Sequence, residues 1–241
     1  MSELQTELAE RDRLDLDRLS EWMRAHVPGF DGPMSYAKFA GGQSNPTYKL
    51  TTPRANYVLR RKPMGDLLPS AHQVDREHRV MAALHPTGFP VPRQYGLCED
   101  AGVIGSAFYV MEMVEGRTIW DGGMPGLTPD QRRDHYHAMI DTLADLHNTD
   151  YEKIGLGDFG RPGNYFERQV GRWTKQYRGA ETEHMPAMET LIEFLPRTIP
   201  EQTRTSIVHG DYRVDNMKFA PGTDPRVVAV LDWELCTLGD P

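Results

Sequence analysis

The stretch that decides the fold spans residues 206–234 and reads S-I-V-H-G-D-Y-R-V-D-N-M-K-F-A-P-G-T-D-P-R-V-V-A-V-L-D-W-E. Residues 207–208 predict a short strand that enters a loop, and residues 217–219 predict a second strand that leaves it. A cluster of turn-forming residues at 221–225 separates the second strand from an apolar, β-branched run at 227–231. The pattern predicts three short strands with polar side chains placed where the strands end.

Those polar side chains are His209, Asp211 and Asn216 in the loop and Asp232 directly after the last strand. An Asp followed five positions later by Asn, then by a second Asp after an apolar strand, is the arrangement of a kinase catalytic loop and metal-binding aspartate. Each residue alone is more often structural, since such side chains also cap turns and end strands. Their order, with strands between them, favours phosphoryl transfer.

Phosphoryl transfer from ATP explains why these residue types are needed. Mg²⁺ prefers hard oxygen ligands and keeps several waters, so the amide oxygen of Asn216 and the carboxylate of Asp232 are enough protein ligands. Asp211 would orient the acceptor hydroxyl and take its proton, which contributes about 10²–10⁴-fold in rate. The sequence therefore predicts ATP and Mg²⁺ as cofactors.

The motif H-G-D-x-x-x-x-N, followed by an apolar strand and Asp, resembles the aminoglycoside phosphotransferase and choline kinase superfamily. The fuller wording, H-G-D-Y-R-V-D-N and A-V-L-D-W-E-L-C-T-L-G-D-P, is similar to the branch of phosphotransferase domains fused to, or encoded beside, acyl-CoA dehydrogenases. The resemblance covers nearly the whole chain from about Leu14.

The resemblance implies an α+β, bilobal protein-kinase-like fold. A mostly β N-lobe, residues 1–115, would bind the nucleotide, and a mostly α C-lobe, residues 116–241, would carry the catalytic loop. His209 would brace that loop beside the catalytic Asp211. Relatives continue with further helices, so we expect the C-lobe to be incomplete in this chain and the chain to be C-terminally truncated.

Composition limits the classes of function. The chain has 241 residues, 39% hydrophobic and 26% charged, with a net charge of -8. Because no basic stretch is concentrated enough for a nucleic-acid groove and no apolar run approaches the ~20 residues of a membrane span, we expect neither partner. The charged N-terminus lacks the apolar segment of a signal peptide, and Cys98 and Cys236 have no metal-motif spacing. We therefore expect a cytoplasmic protein with both thiols reduced.

A glycine-rich loop is expected between two strands within residues 37–50. Gly41, Gly42, Gln43 and Ser44 would let backbone N–H groups approach phosphate oxygens closely. Taken alone, this segment favours a plain turn. The resemblance implies that it covers the nucleotide phosphates.

Residues 56–62 predict the next strand, where protein kinases have a Lys that contacts phosphates and pairs with a Glu on the following helix. This chain has Arg60 instead, whose planar guanidinium can hold phosphate through two parallel hydrogen bonds. Lys62 is the alternative candidate for the same phosphate contact. Glu77 is the expected partner of Arg60, against the alternative of a surface ion pair with neighbouring arginines.

Two further strands are predicted at residues 95–98 and 107–114, the second leading into the hinge between the lobes. The resemblance implies that Met111 lines the adenine pocket. It also implies that the backbone carbonyl of Glu112 and the N–H of Val114 bond the adenine edge. Core packing is the competing interpretation for Met111.

Helical periodicity predicts a helix over residues 14–27 and others over 164–178 and 188–195. Two capping boxes, Ser70 with Gln73 and Thr128 with Gln131, predict the starts of two more. The helix that begins after Thr128 is predicted to bury an apolar stripe, which consists of Tyr136, Met139, Ile140, Leu143 and Leu146. The helix over 164–178 carries a basic set, which is either a solvated face or a contact for an anionic acceptor: Arg168, Arg172, Lys175 and Arg178.

The predicted function is ATP- and Mg²⁺-dependent phosphorylation of a small-molecule hydroxyl. The branch that the chain resembles suggests a hydroxyacyl-CoA as acceptor and an acyl-CoA dehydrogenase as a partner. The alternatives are an aminoglycoside or choline-like acceptor and, in another class, a nucleotide-binding regulatory module without catalysis.

Overall fold

The computed structural model describes residues 4–5, 8–40, 45–65 and 73–241. The chain divides into two compact units, of which the first comprises residues 1–143 and 210–236 and the second residues 144–209 and 237–241. The loop with Asp211, Asn216 and Asp232 therefore belongs to the first unit. The expected lobe boundary at residue 115 stays a prediction.

The first unit is built on a six-stranded antiparallel sheet with the strand order β1-β2-β3-β4-β6-β5. Its strands are β1 Leu4–Gln5, β2 Ser35–Phe39, β3 Thr47–Thr51, β4 Asn56–Arg61, β5 Gln94–Cys98 and β6 Phe108–Glu112. The inner strand β4 places Arg60 opposite Thr47 on one side and Tyr109 on the other. This register brings Arg60 to the middle of the sheet.

Burial explains the sequence of β4. Tyr57, Val58 and Leu59 are buried in succession, as expected for a strand that has neighbours on both sides and cover on both faces. Arg61 is also buried, and its guanidinium donates to the carbonyl oxygens of Ile104 at 3.1 Å and Arg11 at 2.5 Å. These two bonds satisfy a charge that would otherwise be costly to bury.

Three helices of the first unit are α1 Leu16–His26, α2 Val74–Leu84 and the short α3 Ala101–Ile104. The Asp15 side chain accepts from the N–H of Arg18 at 3.1 Å and caps α1, whose Leu19 and Met23 are fully buried. In α2 the N-cap is Gln73, without a side-chain cap bond. Ser70, its expected capping partner, lies outside the described residues.

The long helix α4, Pro129–Asn148, starts as predicted. The N–H of Thr128 donates to Oε1 of Gln131 at 3.0 Å, and the N–H of Gln131 donates to Oγ1 of Thr128 at 3.3 Å, which completes the capping box. The expected apolar stripe is only partly correct. Met139 and Leu146 are buried, but Tyr136 is 43% and Ile140 60% exposed.

The buried face of α4 is turned slightly from the predicted one. It consists of His135, Met139, Thr142 and Leu146, which are three or four residues apart. His135 and Thr142 are polar, so a prediction from hydrophobicity alone selected the neighbouring face with Tyr136 and Ile140. The hydroxyl of Thr142 bonds the carbonyl of Ala138 at 2.7 Å, which allows its burial.

The remaining elements of the first unit are the antiparallel pair β8 Met217–Phe219 and β9 Val227–Val230, both predicted. The second unit contains α5 Tyr165–Ala180, α6 Pro186–Phe194 and the antiparallel pair β7 Ser206–Val208 and β10 Thr237–Gly239. Strand β10 was not predicted. Within the described part of the chain, no helix combines the length and apolar character needed to cross a membrane.

The burial pattern predicts unequal costs for two truncations. Leu59→Ala removes a fully buried side chain from β4 and should lower the free energy of unfolding by about 2–5 kcal/mol. Ile140→Ala removes a side chain that is 60% exposed and should change it by less than about 1 kcal/mol. Urea unfolding of both variants measures the difference, and equal costs would contradict the assignment of the buried face of α4.

Candidate active site

The first unit contains a cavity of about 290 Å³ whose walls come from the sheet, α2, the segment after β6 and the β8–β9 region. Its apolar lining includes Val58, Met81, Met111 and Leu231. Its polar and charged lining includes Arg60, Glu112, Asp215, Asn216, Lys218 and Asp232. An apolar cavity with a few convergent polar groups is the usual form of a small-molecule site.

Arg60 is the centre of a charge cluster in this cavity. Its Nε lies 3.0 Å from Oε2 of Glu77, although the N–H is not aimed for a good hydrogen bond. One of its terminal nitrogens donates to Oδ1 of Asp232 at 2.8 Å and lies 3.6 Å from Oε2 of Glu234. The expected pair of Arg60 and Glu77 is therefore present, and two further carboxylates face the same guanidinium.

Glu77 is almost completely buried on α2, at 1% exposure. Its two carboxylate oxygens accept hydrogen bonds from Nδ2 of Asn45 at 2.8 Å and from the hydroxyl of Tyr109 at 3.0 Å. Burial raises the pKa of Glu77 to about 7, although Arg60 and the Tyr109 hydroxyl oppose the shift. Burial also disfavours the charged form of Arg60, but Glu77, Tyr109 and Asp232 outweigh it and raise the pKa of Arg60 overall.

The loop after His209 is shaped by a glycine and an amide. Gly210 has φ +87, and a Cβ there would lie 2.6 Å from the carbonyl oxygen of Leu235, so only glycine fits. Nδ2 of Asn216 donates to the backbone carbonyl and to Oδ2 of Asp211, both at 2.9 Å. The hydroxyl of Tyr212 bonds the carbonyl of Met139 on α4 at 2.6 Å. Together these contacts fix the Asp211 side chain.

Asp232 follows β9 in an unusual backbone conformation, with φ 64. For a residue other than glycine this left-handed region is strained. Contacts of the two neighbouring residues hold the backbone in this conformation. The N–H of Leu231 donates to the carbonyl of Asn216 at 2.8 Å, and Trp233 is buried against Phe89. The effect is to bring the carboxylate of Asp232 into the cavity beside Asn216.

The donor set at this point fits a hard divalent cation. Since Nδ2 of Asn216 is used toward Asp211, the amide oxygen Oδ1 is the group that remains for a ligand. The other oxygen donor is the carboxylate of Asp232. Oxygen ligands of this kind, few in number, are those that suit Mg²⁺.

The other predicted residues fall in several places. Met111, Glu112 and Val114 line the cavity. Lys62 pairs with Asp75 at 3.7 Å and is not among the cavity residues, so the structure favours Arg60 over Lys62 for a role there. His209 is buried, in the second unit. Gly41, Gly42, Gln43 and Ser44 lie outside the described residues.

Sequence reasoning missed several of the described residues of the site, among them Asn45, Tyr109, Lys218 and Glu234. Asn45 follows the glycine-rich segment, and Tyr109 sits in a strand with an apolar pattern, so neither had a distinguishing signal. Lys218 had one, since it interrupts the apolar run M-K-F of β8. Burial lowers the pKa of Lys218.

The basic set on α5 is largely committed to local contacts. Arg168 donates to the carbonyls of Gly163 and Arg161, and Arg172 lies over the ring of Trp173. Arg178 pairs with Glu181 and Glu189, so these carboxylates already have a cation, although together with His184 they are spaced as metal ligands. The local pairing favours the interpretation of a solvated face.

Residues 35–241 match the family model described as the phosphotransferase enzyme family. The chain is 51% identical over 210 residues to acyl-CoA dehydrogenase family member 10 of Mus musculus, covering 87% of this chain and 20% of that protein. It is 42% identical over 240 residues to acyl-CoA dehydrogenase family member 11 of Homo sapiens, covering 98% of this chain and 31% of that protein. The chain thus spans less than a third of these relatives.

Among solved structures, one from Ralstonia eutropha named as an aminoglycoside phosphotransferase has a TM-score of 0.86 and 54% identity over 95% of this chain and 67% of that chain. An aminoglycoside phosphotransferase crystallised with ADP and hygromycin B has a TM-score of 0.64 over 92% of this chain and 72% of that chain. At 13% identity it shows the fold alone. The predicted α+β, protein-kinase-like fold is confirmed.

The buried cluster predicts a strong coupling between Arg60 and Glu77. Glu77→Gln removes the most deeply buried of the three carboxylates that face the Arg60 guanidinium and should lower the free energy of unfolding by about 3 kcal/mol. Adding Arg60→Met should cost less than the two single changes combined, with a coupling energy of about 1–3 kcal/mol.

The exposed pair of Arg133 and Asp130, at 3.0 Å, is the matched control for this double-mutant cycle. Its coupling energy should stay below about 0.5 kcal/mol because water screens both charges. Urea unfolding of all the single and double variants gives both values. A coupling between Arg60 and Glu77 as small as that of the control would contradict a buried ion pair.

Proposed function

Because the chain belongs to the phosphotransferase enzyme family, we propose that it transfers the terminal phosphoryl group of Mg-ATP to a hydroxyl group of a small molecule. The observation that carries this proposal is the convergence of Arg60, Asn216 and Asp232 on one cavity, with Asp211 bonded to Asn216. This arrangement supplies a cation for phosphates, oxygen ligands for a metal and a base for the acceptor.

Asp211 is the proposed base. Its Oδ2 accepts a hydrogen bond from Nδ2 of Asn216 at 2.9 Å, which orients the carboxylate that would take the proton. As the acceptor oxygen forms a bond to the terminal phosphorus, the bond from that phosphorus to the ADP oxygen breaks, and the hydroxyl proton moves to Asp211. ADP and the phosphorylated alcohol are the products. His209, which precedes this loop, is proposed to brace it.

Arg60 and Glu77 are proposed to position the phosphates. The guanidinium of Arg60 has parallel donors that match phosphate oxygens, and Glu77 fixes its orientation from α2. Asn216 and Asp232 would hold Mg²⁺, which supplies positive charge to the phosphate oxygens when bound. The segment Gly41–Ser44 is proposed to cover the phosphates, as the resemblance implies.

The nucleoside part is proposed to lie against the segment after β6. Met111 and Val114 line the cavity there together with the apolar side chains of Val58 and Leu231. The carbonyl of Glu112 and the N–H of Val114 would bond the adenine edge, since backbone groups at the end of a strand are available for such bonds. These apolar side chains suit the faces of a purine ring.

The proposed acceptor is a hydroxyacyl-CoA. The relatives named acyl-CoA dehydrogenase family members 10 and 11 are about 51% and 42% identical to this chain and extend well beyond the part that it matches. A dehydrogenase acting on acyl-CoA is accordingly the proposed partner, and the cytoplasmic location stays a prediction. An aminoglycoside is the second candidate, which the 54% identity to the Ralstonia eutropha protein favours.

Asp211→Asn tests the proposed base. The substitution keeps the size of the side chain but removes its ability to accept a proton, so the rate should fall by about 10²-fold or more while Mg-ATP binding persists. Turnover by ADP release and binding by calorimetry give the two values. Asp141→Asn, an exposed Asp on α4, is the matched control and should turn over at the rate of the unmodified chain. An undiminished rate in Asp211→Asn would exclude Asp211 as the base.

A panel of acceptors tests the substrate class. ADP release from Mg-ATP is measured with hydroxyacyl-CoAs, aminoglycosides and choline-like alcohols, with Asp211→Asn as the inactive control. We expect turnover with hydroxyacyl-CoAs at a kcat/KM at least about tenfold above the other classes, a difference of about 1.4 kcal/mol in transition-state binding. Equal turnover of an aminoglycoside would remove the basis for that choice. Binding of Mg-ATP without turnover of any acceptor would favour the regulatory module.

A further inference from the structure

Asn45 is a fully buried polar residue beside the charge cluster, and the proposed mechanism gives it no role. It stands in the chain between the glycine-rich segment and β3, which begins at Thr47. Its Nδ2 donates to Oε1 of Glu77 on α2 at 2.8 Å, although the two residues are 32 positions apart. A buried amide costs free energy unless it is hydrogen-bonded, so this bond is one condition for an Asn in such a place.

The two oxygens of the Glu77 carboxylate face different partners. Oε1 accepts from Asn45, whereas Oε2 accepts from the hydroxyl of Tyr109 at 3.0 Å and lies 3.0 Å from Nε of Arg60. Because a carboxylate is planar and rigid, a bond that fixes one oxygen also fixes the direction of the other. Asn45 therefore constrains where Oε2 lies, and Oε2 is the atom that faces the guanidinium.

The guanidinium of Arg60 needs such a constraint because carboxylates approach it from two directions. Glu77 faces it from α2, and Asp232 and Glu234 face it from the segment after β9. If Glu77 turned away, the two carboxylates after β9 would attract the guanidinium toward themselves. The N–H of Asn45 also favours the ionised form of Glu77, since it donates to the carboxylate.

We propose that Asn45 is a positioning residue of the site, which orients Glu77 so that Glu77 holds the Arg60 guanidinium where the nucleotide phosphates bind. The inference rests on the proposed function, in which Arg60 contacts the phosphates. Thr47 and Arg60 are among the described residues that line the cavity, and Asn45 is not. Its effect on a nucleotide is therefore indirect, and it is confined to the phosphate part.

Mg-ATP and adenosine are the matched probes, because adenosine has the same base and ribose without the phosphates. Calorimetry with the full 241-residue chain and Mg²⁺ gives a Kd for Mg-ATP directly and for adenosine by competition. In Asn45→Ala we expect the affinity for Mg-ATP to fall about tenfold, as for the loss of a hydrogen bond to a charged group. The affinity for adenosine should change by less than about twofold, a difference that a purely structural role would not produce.

Two further variants control for folding and for the loss of a buried hydrogen bond. Asn45→Ser keeps a small polar side chain that is too short to reach Glu77, so it should weaken Mg-ATP binding in the same way with less effect on the fold. Thr142→Val removes the bond of a buried hydroxyl to the carbonyl of Ala138 on α4 and should leave both affinities unchanged.

NMR of the unmodified chain gives a measurement that requires no variant. The side-chain amide protons of Asn45 should exchange slowly with water, because the group is buried and bonded to a carboxylate. Their resonances should shift when Mg-ATP is added and stay in place when adenosine is added. This comparison stands even when both replacements of Asn45 fail to fold.

Each outcome bears on the inference. Equal losses of Mg-ATP and adenosine affinity in Asn45→Ala, or no loss of either, would overturn the positioning role while leaving the proposed function intact. If neither variant folds, amide resonances that do not respond to Mg-ATP would overturn it. Failure of the folded, unmodified chain to bind Mg-ATP would instead overturn the proposed function, and the inference with it. A loss confined to Mg-ATP and to the variants of Asn45 supports the assignment.

Discussion

A buried guanidinium must have its charge compensated, and the arrangement of the site follows from how this is done for Arg60. One cation on β4 faces three carboxylates, from Glu77 on α2 and from Asp232 and Glu234 after β9. Each carboxylate comes from a segment distant from β4 in sequence, so the pairing links the sheet, a helix and the segment after β9. The excess of negative charge around one cation also suits the arrival of a divalent metal.

A few short contacts hold the loop over residues 210–216, the proposed catalytic loop. Nδ2 of Asn216 holds the side chain of Asp211, and the backbone carbonyl of Asn216 accepts from Leu231. The proposed base and both proposed metal ligands are thus connected through one residue. Gly210 has no room for a Cβ, so the backbone before Asp211 packs directly against the carbonyl of Leu235. Preorganisation of this kind keeps a reactive group in place before a ligand arrives.

Local sequence signals predicted the parts of this structure that local physics decides. The capping box of Thr128 and Gln131 predicted the start of α4, and apolar runs between turn-forming residues predicted most of the strands of the sheet, β4 among them. The pair of Arg60 and Glu77 was predicted from a motif. The exposure of Ile140 was not predicted. Helical periodicity identifies apolar stripes on a helix, but it does not tell which of two neighbouring stripes is buried against the rest of the protein. Strand β10, only Thr237–Gly239, is too short to carry a pattern of its own.

The side chains of the site that were not predicted have one property in common, which is that their partners are distant in sequence. Asn45 and Tyr109 become important only because folding brings them against Glu77, 32 residues away in either direction. Glu234 acquires its neighbour through a contact with Arg60 across the sheet and the loop. Contacts between residues so far apart in sequence produce no local sequence pattern, so the tertiary structure is needed to find them.

The left-handed backbone of Asp232 has a consequence for how this chain could change over time. At φ 64 a glycine would relieve the backbone strain, but it would also remove the carboxylate that pairs with the guanidinium of Arg60 at 2.8 Å. The backbone term alone therefore opposes Asp at this position, and the ion pair of its carboxylate with Arg60 favours it. Any replacement at this single position would thus have to satisfy two demands at once, a left-handed backbone and a negative charge beside Arg60.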